Sequence, residues 1–104
     1  MRALILVIAC ACFAVPATAA DHVVSQNNKA FSTASLQAKV GDTVSFRNDD
    51  TVAHNIFSLS DIQSFDLGMY SKGATRQVKL EKTGIVEIEC AVHPDMRLTI
   101  AVKP

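Results

Sequence analysis

The chain has 104 residues, enough for one domain and hardly for two, with 10 Lys plus Arg balanced by 10 Asp plus Glu. That balance excludes the basic footprint of a nucleic-acid binder and the polybasic signal of a membrane-surface protein. The average nevertheless covers two unlike segments.

Residues 1–20 carry Arg2, an apolar run from Ala3 to Val15, and then Pro16-Ala-Thr-Ala-Ala20 ahead of Asp21. A basic start, a short apolar stretch and small residues at its end form the order of a secretory signal peptide, and the run is short for a membrane span. Cleavage is expected after Ala19 or Ala20, which would place a domain over residues 21–104 in the periplasm. Cys10 and Cys12 would leave with the peptide. Loss of Arg2 turns the formal charge of zero into −1.

From Asp21 onward, short alternating runs separated by turn residues predict a β-sandwich. His22-Val-Val-Ser25 reads as a first strand, ended by the polar Gln26-Asn-Asn-Lys29. Leu36, Ala38 and Val40 share one face of the next strand, and Gly41-Asp42 makes a turn. Val44 and Phe46 alternate with Thr43, Ser45 and Arg47, and Asn48-Asp-Asp50 closes that strand. Thr51 to Ser58 reads as a strand buried on both sides, with Val52, His54 and Ile56 on one parity. Ser60 to Gly73 is expected to be irregular, packed down by Ile62, Phe65, Leu67, Met69 and Tyr70, with room for one helical turn. Val78 and Leu80 mark the next strand, and Lys82-Thr-Gly84 turns the chain back.

Val86, Ile88 and Cys90 share one parity, and Met96, Leu98, Ile100 and Val102 repeat the pattern in the last strand. A thiol and a thioether should therefore both start on the core side, at the two ends of the loop Cys90-Ala-Val-His93-Pro-Asp-Met96. Cys90 is the one cysteine left in the mature chain, in a compartment where cysteines usually pair. An exposed idle thiol there would be an oxidation liability, so burial, dimerisation, catalysis or metal binding has to account for it. Small domains also bury only about 60% of their unfolded surface, and bound metal can supply the missing staple.

Thiolate, imidazole and thioether donors together suit copper better than zinc, calcium or magnesium. Cys90, His93 and Met96 supply three donors, and His54 is the candidate for the fourth. A lone histidine in an apolar strand can also be an ordinary hydrogen-bonded core residue, and Met69 and Tyr70 read as core packing rather than as part of an electron path. Cys90 as a nucleophile with His54 or His93 as its base is a third possibility, although no oxyanion motif is visible and the domain leaves little room for a substrate cleft. Zinc competes weakly, because Met is a poor zinc ligand.

With Val40-Gly-Asp-Thr-Val-Ser-Phe46, the upstream His54-Asn55 and the spacing of the Cys90 to Met96 loop in view, the chain resembles a small type 1 copper protein of the cupredoxin family, close to the plastocyanin and amicyanin group. The resemblance implies an all-β Greek-key sandwich of about seven or eight short strands. It also implies one copper ion held by His54, Cys90, His93 and a weak axial Met96, with Asn55 donating a backbone N–H to the Cys90 sulfur and tying the two ligand loops by its side chain. Pro94 matches the short-loop pattern. Val92 stands where the group has proline, so its N–H is available as a second donor to the sulfur. Asp95 places a negative charge beside His93.

The function so implied is single-electron shuttling between redox proteins that dock near His93, by a monomer that is not an enzyme, since four protein ligands leave no open coordination position. Copper tolerance or delivery is the alternative. If cleavage follows Ala19, Ala20-Asp21-His22 could also wrap a second Cu(II) in a square plane; if the first strand starts there, His22 is ordinary surface.

Overall fold

An alternating strand cannot bury its apolar face alone, so such strands pair into sheets and the sheets stack. The structure, a computed structural model, describes residues 18–104. The apolar leader with Cys10 and Cys12 lies outside the described residues. The described strands are β1 (Asp21–Asn27), β2 (Ala30–Phe31), β3 (Ser35–Lys39), β4 (Thr43–Asn48), β5 (His54–Ser60), β6 (Gln63–Tyr70), β7 (Thr75–Lys79), β8 (Gly84–Cys90) and β9 (His93–Lys103). No helix is present among the described residues.

One sheet has the order β2-β1-β4-β7 and the other β3-β9-β8-β5-β6. The pairs β1/β4 and β3/β9 are parallel, while the hairpins β5/β6 and β8/β9 are antiparallel. Val24, Val44 and Phe46 of the first sheet form one core with Ile56, Val86, Ile88, Leu98 and Ile100 of the second. The Phe46 ring stands 6.4 Å from Phe31 and 6.5 Å from Phe65, joining three strands across the two layers. Between the sheets, the buried Tyr70 hydroxyl donates to Gln26 Oε1 at 2.6 Å. Every buried side-chain nitrogen and oxygen among the described residues has a partner, as a core that excludes water requires.

The expected sandwich is present with nine strands instead of seven or eight. The additional short strand, β2, exists because Asn28 and Lys29 adopt φ of 52° and 56°. Two consecutive residues at positive φ make a tight hairpin turn, which pairs Gln26 with Phe31 and Asn27 with Ala30.

Ser60 to Gly73 is not irregular. It contains β6, whose alternation is interrupted by a bulge: Asn55 pairs with Met69 but Phe57 pairs with Asp66, so β6 carries an extra residue. Gly68, at φ 71°, absorbs the kink. Phe65 and Leu67 are half-buried before the bulge, while after it Met69 is exposed and Tyr70 turns into the core. Strand β5 also begins later than expected, at His54, because Asp50 to Val52 form a bend. The fully buried Asn48 shapes that bend by donating to the carbonyls of Val52 and Tyr70, each at 3.0 Å.

Candidate metal centre

Strand parity delivers the donors. Cys90 ends β8 on the same face as Val86 and Ile88, and is 2% exposed. Met96, also 2% exposed, lies on the core face of β9 with Leu98 and Ile100. His54 is wholly buried at the first position of β5, inward with Ile56. The short hairpin loop expected from Cys90 to Met96 is tighter still, a two-residue turn: Cys90 pairs with His93, and β9 begins at His93. His93 is half-buried beside the exposed Val92, Pro94 and Asp95.

Cys90 Sγ lies 3.6 Å from His54 Nδ1 and 3.6 Å from His93 Nδ1, and the two Nδ1 atoms are 3.2 Å apart. A triangle with sides of 3.2, 3.6 and 3.6 Å has a point about 2.0 Å from every corner, close to the length of a metal–imidazole bond, ~2.0–2.1 Å. The three residues form a group able to hold a metal ion.

Protonation agrees with this. His54 Nε2 is 3.0 Å from Asp50 Oδ2. The carboxyl group is held down at about 2, first by the Lys29 N–H, against the opposing effect of burial, and then by the bonds from His54 and Thr51. Being ionised, it accepts only, so Nε2 carries the His54 proton and Nδ1 turns a lone pair to the triangle. Burial, and next the neighbouring His54, hold His93 below the usual imidazole value, which keeps it neutral and able to ligate at neutral pH. Two imidazole lone pairs and a thiol aimed at one point are a poor arrangement without a cation and a good one with it. A trigonal pair of His and one Cys with a Met nearby is the donor set that suits copper.

Several neighbours are placed differently from expectation. The Asn55 side chain donates to Asp66 Oδ1 on β6 at 2.6 Å rather than tying the two ligand segments. Its backbone carbonyl makes that tie, accepting from Ala91 N at 2.9 Å. Among the described residues the polar partners of Sγ are the two imidazoles, and the N–H groups of Asn55 and Val92 are not among them. His22 falls in β1, which starts at Asp21, and its Nε2 meets Asp42 Oδ2 at 2.8 Å. A square-planar chelate would have to pull Asp21 and His22 out of their pairing with Thr43 and Val44, so the structure favours the surface reading of His22.

Sequence reasoning missed Asp50 and Asn48, having taken Asn48-Asp-Asp50 only as the close of a strand. The available signal was a carboxylate four residues before a histidine that enters an apolar strand.

Residues 18–103 match the family of copper binding proteins described as the plastocyanin/azurin family. The methylamine utilization protein MauL of Methylorubrum extorquens is 31% identical over 91 residues, covering 86% of this chain and 80% of that protein. Among solved structures, a reduced Cu(I) form of an amicyanin point mutant at pH 4 superposes with a TM-score of 0.74 and 26% identity, over 80% of this chain and 82% of the other. The oxidised state of a different amicyanin point mutant gives the same TM-score, identity and coverage. With the fold, the buried donor triangle and these similarities in agreement, the chain belongs to the plastocyanin/azurin family of copper-binding proteins, and its cofactor is copper.

Proposed function

We propose that this protein is an exported electron carrier, with copper held by His54 Nδ1, Cys90 Sγ and His93 Nδ1 and by Met96 as a weak fourth ligand. The observation that carries this reading is the donor triangle, whose centre lies about 2.0 Å from one sulfur and two nitrogens. Bound copper supplies a one-electron Cu(I)/Cu(II) couple. The protein's part is to keep the donors still, so that little rearrangement accompanies the change of charge. His54 and Cys90 are fixed on neighbouring strands, with Ile56 paired to Cys90, and Met96 is packed into the core.

Four protein ligands leave no open coordination position for a substrate, which is why an electron carrier fits better than an enzyme. His93 is the ligand nearest solvent. The surface around it, with Val92 at 49% exposure and Pro94 beside it, suits brief docking of redox proteins on a small area. The protein acts as a monomer in the periplasm, reached through a leader over residues 1–20.

Copper tolerance or delivery would use the same donors, but a buried site on paired strands favours retention of the metal over its transfer. Electron self-exchange of the copper-loaded mature protein, followed by NMR line broadening in mixed Cu(I)/Cu(II) samples, tests the choice. Fast exchange with copper retained against a chelator is expected. Slow exchange with ready transfer of copper to an acceptor would establish the delivery reading instead.

A further inference from the structure

The first sheet reaches the copper site of the second through one carboxylate. Asp50 is almost fully buried in the bend before β5. Its Oδ2 accepts from His54 Nε2 at 3.0 Å and from the backbone N–H of Lys29 at 2.7 Å, while Oδ1 accepts from the Thr51 N–H at 2.7 Å. Asp50 is itself held by its N–H, which donates to Asn48 Oδ1 at 2.8 Å. Lys29 occupies the positive-φ turn between β1 and β2, so the N–H that fixes the carboxylate is delivered by a hairpin of the other sheet. The two imidazoles of the site are thus unlike. His54 has a buried anion on its far nitrogen, whereas among the described residues the polar contacts of His93 are made through Nδ1 alone.

We infer that Asp50 is a positioning residue for the copper site: anchored by the Lys29 N–H, it locks His54 with Nδ1 toward the metal and makes that imidazole a stronger donor to Cu(II) than to Cu(I). This rests on His54 being a copper ligand. A carboxylate on the distal nitrogen of a ligating histidine fixes its ring and raises its basicity, and removing such a partner typically costs about 10–100-fold in metal affinity. A fixed negative charge next to the site also favours the more positive oxidation state, so the loss falls mainly on Cu(II). The bend from Asn48 to Ala53 and the β1–β2 turn therefore act together as a device that holds the reduction potential down.

The test compares copper-loaded mature wild type, Asp50→Asn and Asp49→Asn by redox titration. Asn is nearly isosteric and keeps an acceptor for Nε2. Asp49 pairs with Arg47 at 2.9 Å, so Asp49→Asn removes the same charge one residue away from the contact with His54. The expected result is a thiolate-to-copper band in all three proteins, with the Cu(II)-to-Cu(I) affinity ratio of Asp50→Asn lowered about tenfold or more. Each tenfold is a rise of about 59 mV in a one-electron potential, and Asp49→Asn should rise by much less. Equal potentials for the two variants, with the band present, would overturn the role of Asp50 and leave the copper ligation standing. Absence of the band in wild type would bring down both. If Asp50→Asn does not fold, long-range ¹H–¹⁵N NMR of the wild-type apoprotein decides. An Nε2–H tautomer for His54 supports the lock, and an Nδ1–H tautomer overturns it.

Discussion

Cys90 and His93 are cross-strand partners: β8 ends on one and β9 begins on the other, with Ala91 and Val92 as the whole turn between them. The register slips here: Glu89 stands opposite Arg97 but Cys90 opposite His93, so Pro94, Asp95 and Met96 have no opposite residue on β8, and the two proposed ligands are held by a tight turn beside an irregularity in the ladder. The remaining strong donor, His54, joins them because β5 lies beside β8 and pairs Ile56 with Cys90.

Val92 lies in that short turn, and its N–H is not among the polar partners of the sulfur. Val92→Pro deletes that N–H and is therefore expected to leave the reduction potential nearly unchanged. Redox titration of the two proteins checks this. A clearly lowered potential would contradict it and show that the Val92 N–H reaches the sulfur in the copper-loaded protein.

Met96 is buried in the core and is the proposed weak fourth ligand, and two substitutions separate these roles. Met96→Leu keeps the volume, so the apoprotein should lose less than ~1.5 kcal/mol of stability, while the copper spectrum and potential shift because the axial ligand tunes both. Met96→Ala opens a cavity and should cost the apoprotein about 2–5 kcal/mol. Urea unfolding of the apoproteins, together with spectra of the copper-loaded forms, reads both effects.

The polar link between the sheets gives a prediction independent of copper. Tyr70→Phe deletes the hydroxyl that bonds Gln26 Oε1 at 2.6 Å and leaves a fully buried acceptor without it. A loss of ~1–3 kcal/mol is expected from equilibrium denaturation. A change within about 0.5 kcal/mol would show that the pair contributes little.

Acid should loosen the start of β1. Asp42 accepts from His22, Ala20 N and Lys39 N, and these bonds, with that from His22 the largest influence, lower its carboxyl from 3.8 to about 2. A folded pKa below the unfolded one means that the stabilisation is complete above about 4 and is lost as pH falls from there toward 2. Asp42→Asn should therefore be less stable than wild type at neutral pH, with the gap narrowing over that acid window, as read from urea midpoints of the apoproteins. Cleavage after Ala19 keeps the Ala20 contact, whereas cleavage after Ala20 removes it.

Much of this was legible in the chain because the period of two survives wherever a strand packs one face on the core. Val86, Ile88 and Cys90, and Met96, Leu98 and Ile100, all turned inward as their parity required. Cys90, His93 and Met96 stood out by their local spacing, and His54, 36 residues before Cys90, by sharing its parity with the buried Ile56. Strand β6 was not, because the bulge near Gly68 shifts the alternation between Leu67 and Tyr70. The two-residue β2 depends on a turn conformation that Asn28-Lys29 does not announce. Asp50 was missed because its role needs Lys29, 21 residues upstream, to be brought alongside it by the fold.

The visible spectrum of the Cu(II)-loaded mature protein tests the central claim most directly. An intense thiolate-to-copper charge-transfer band is expected, with one copper per chain, and it should vanish in Cys90→Ser. A copper-loaded protein without that band, or a band that persists in Cys90→Ser, would contradict the assignment of Cys90 as a copper ligand and with it the proposed site.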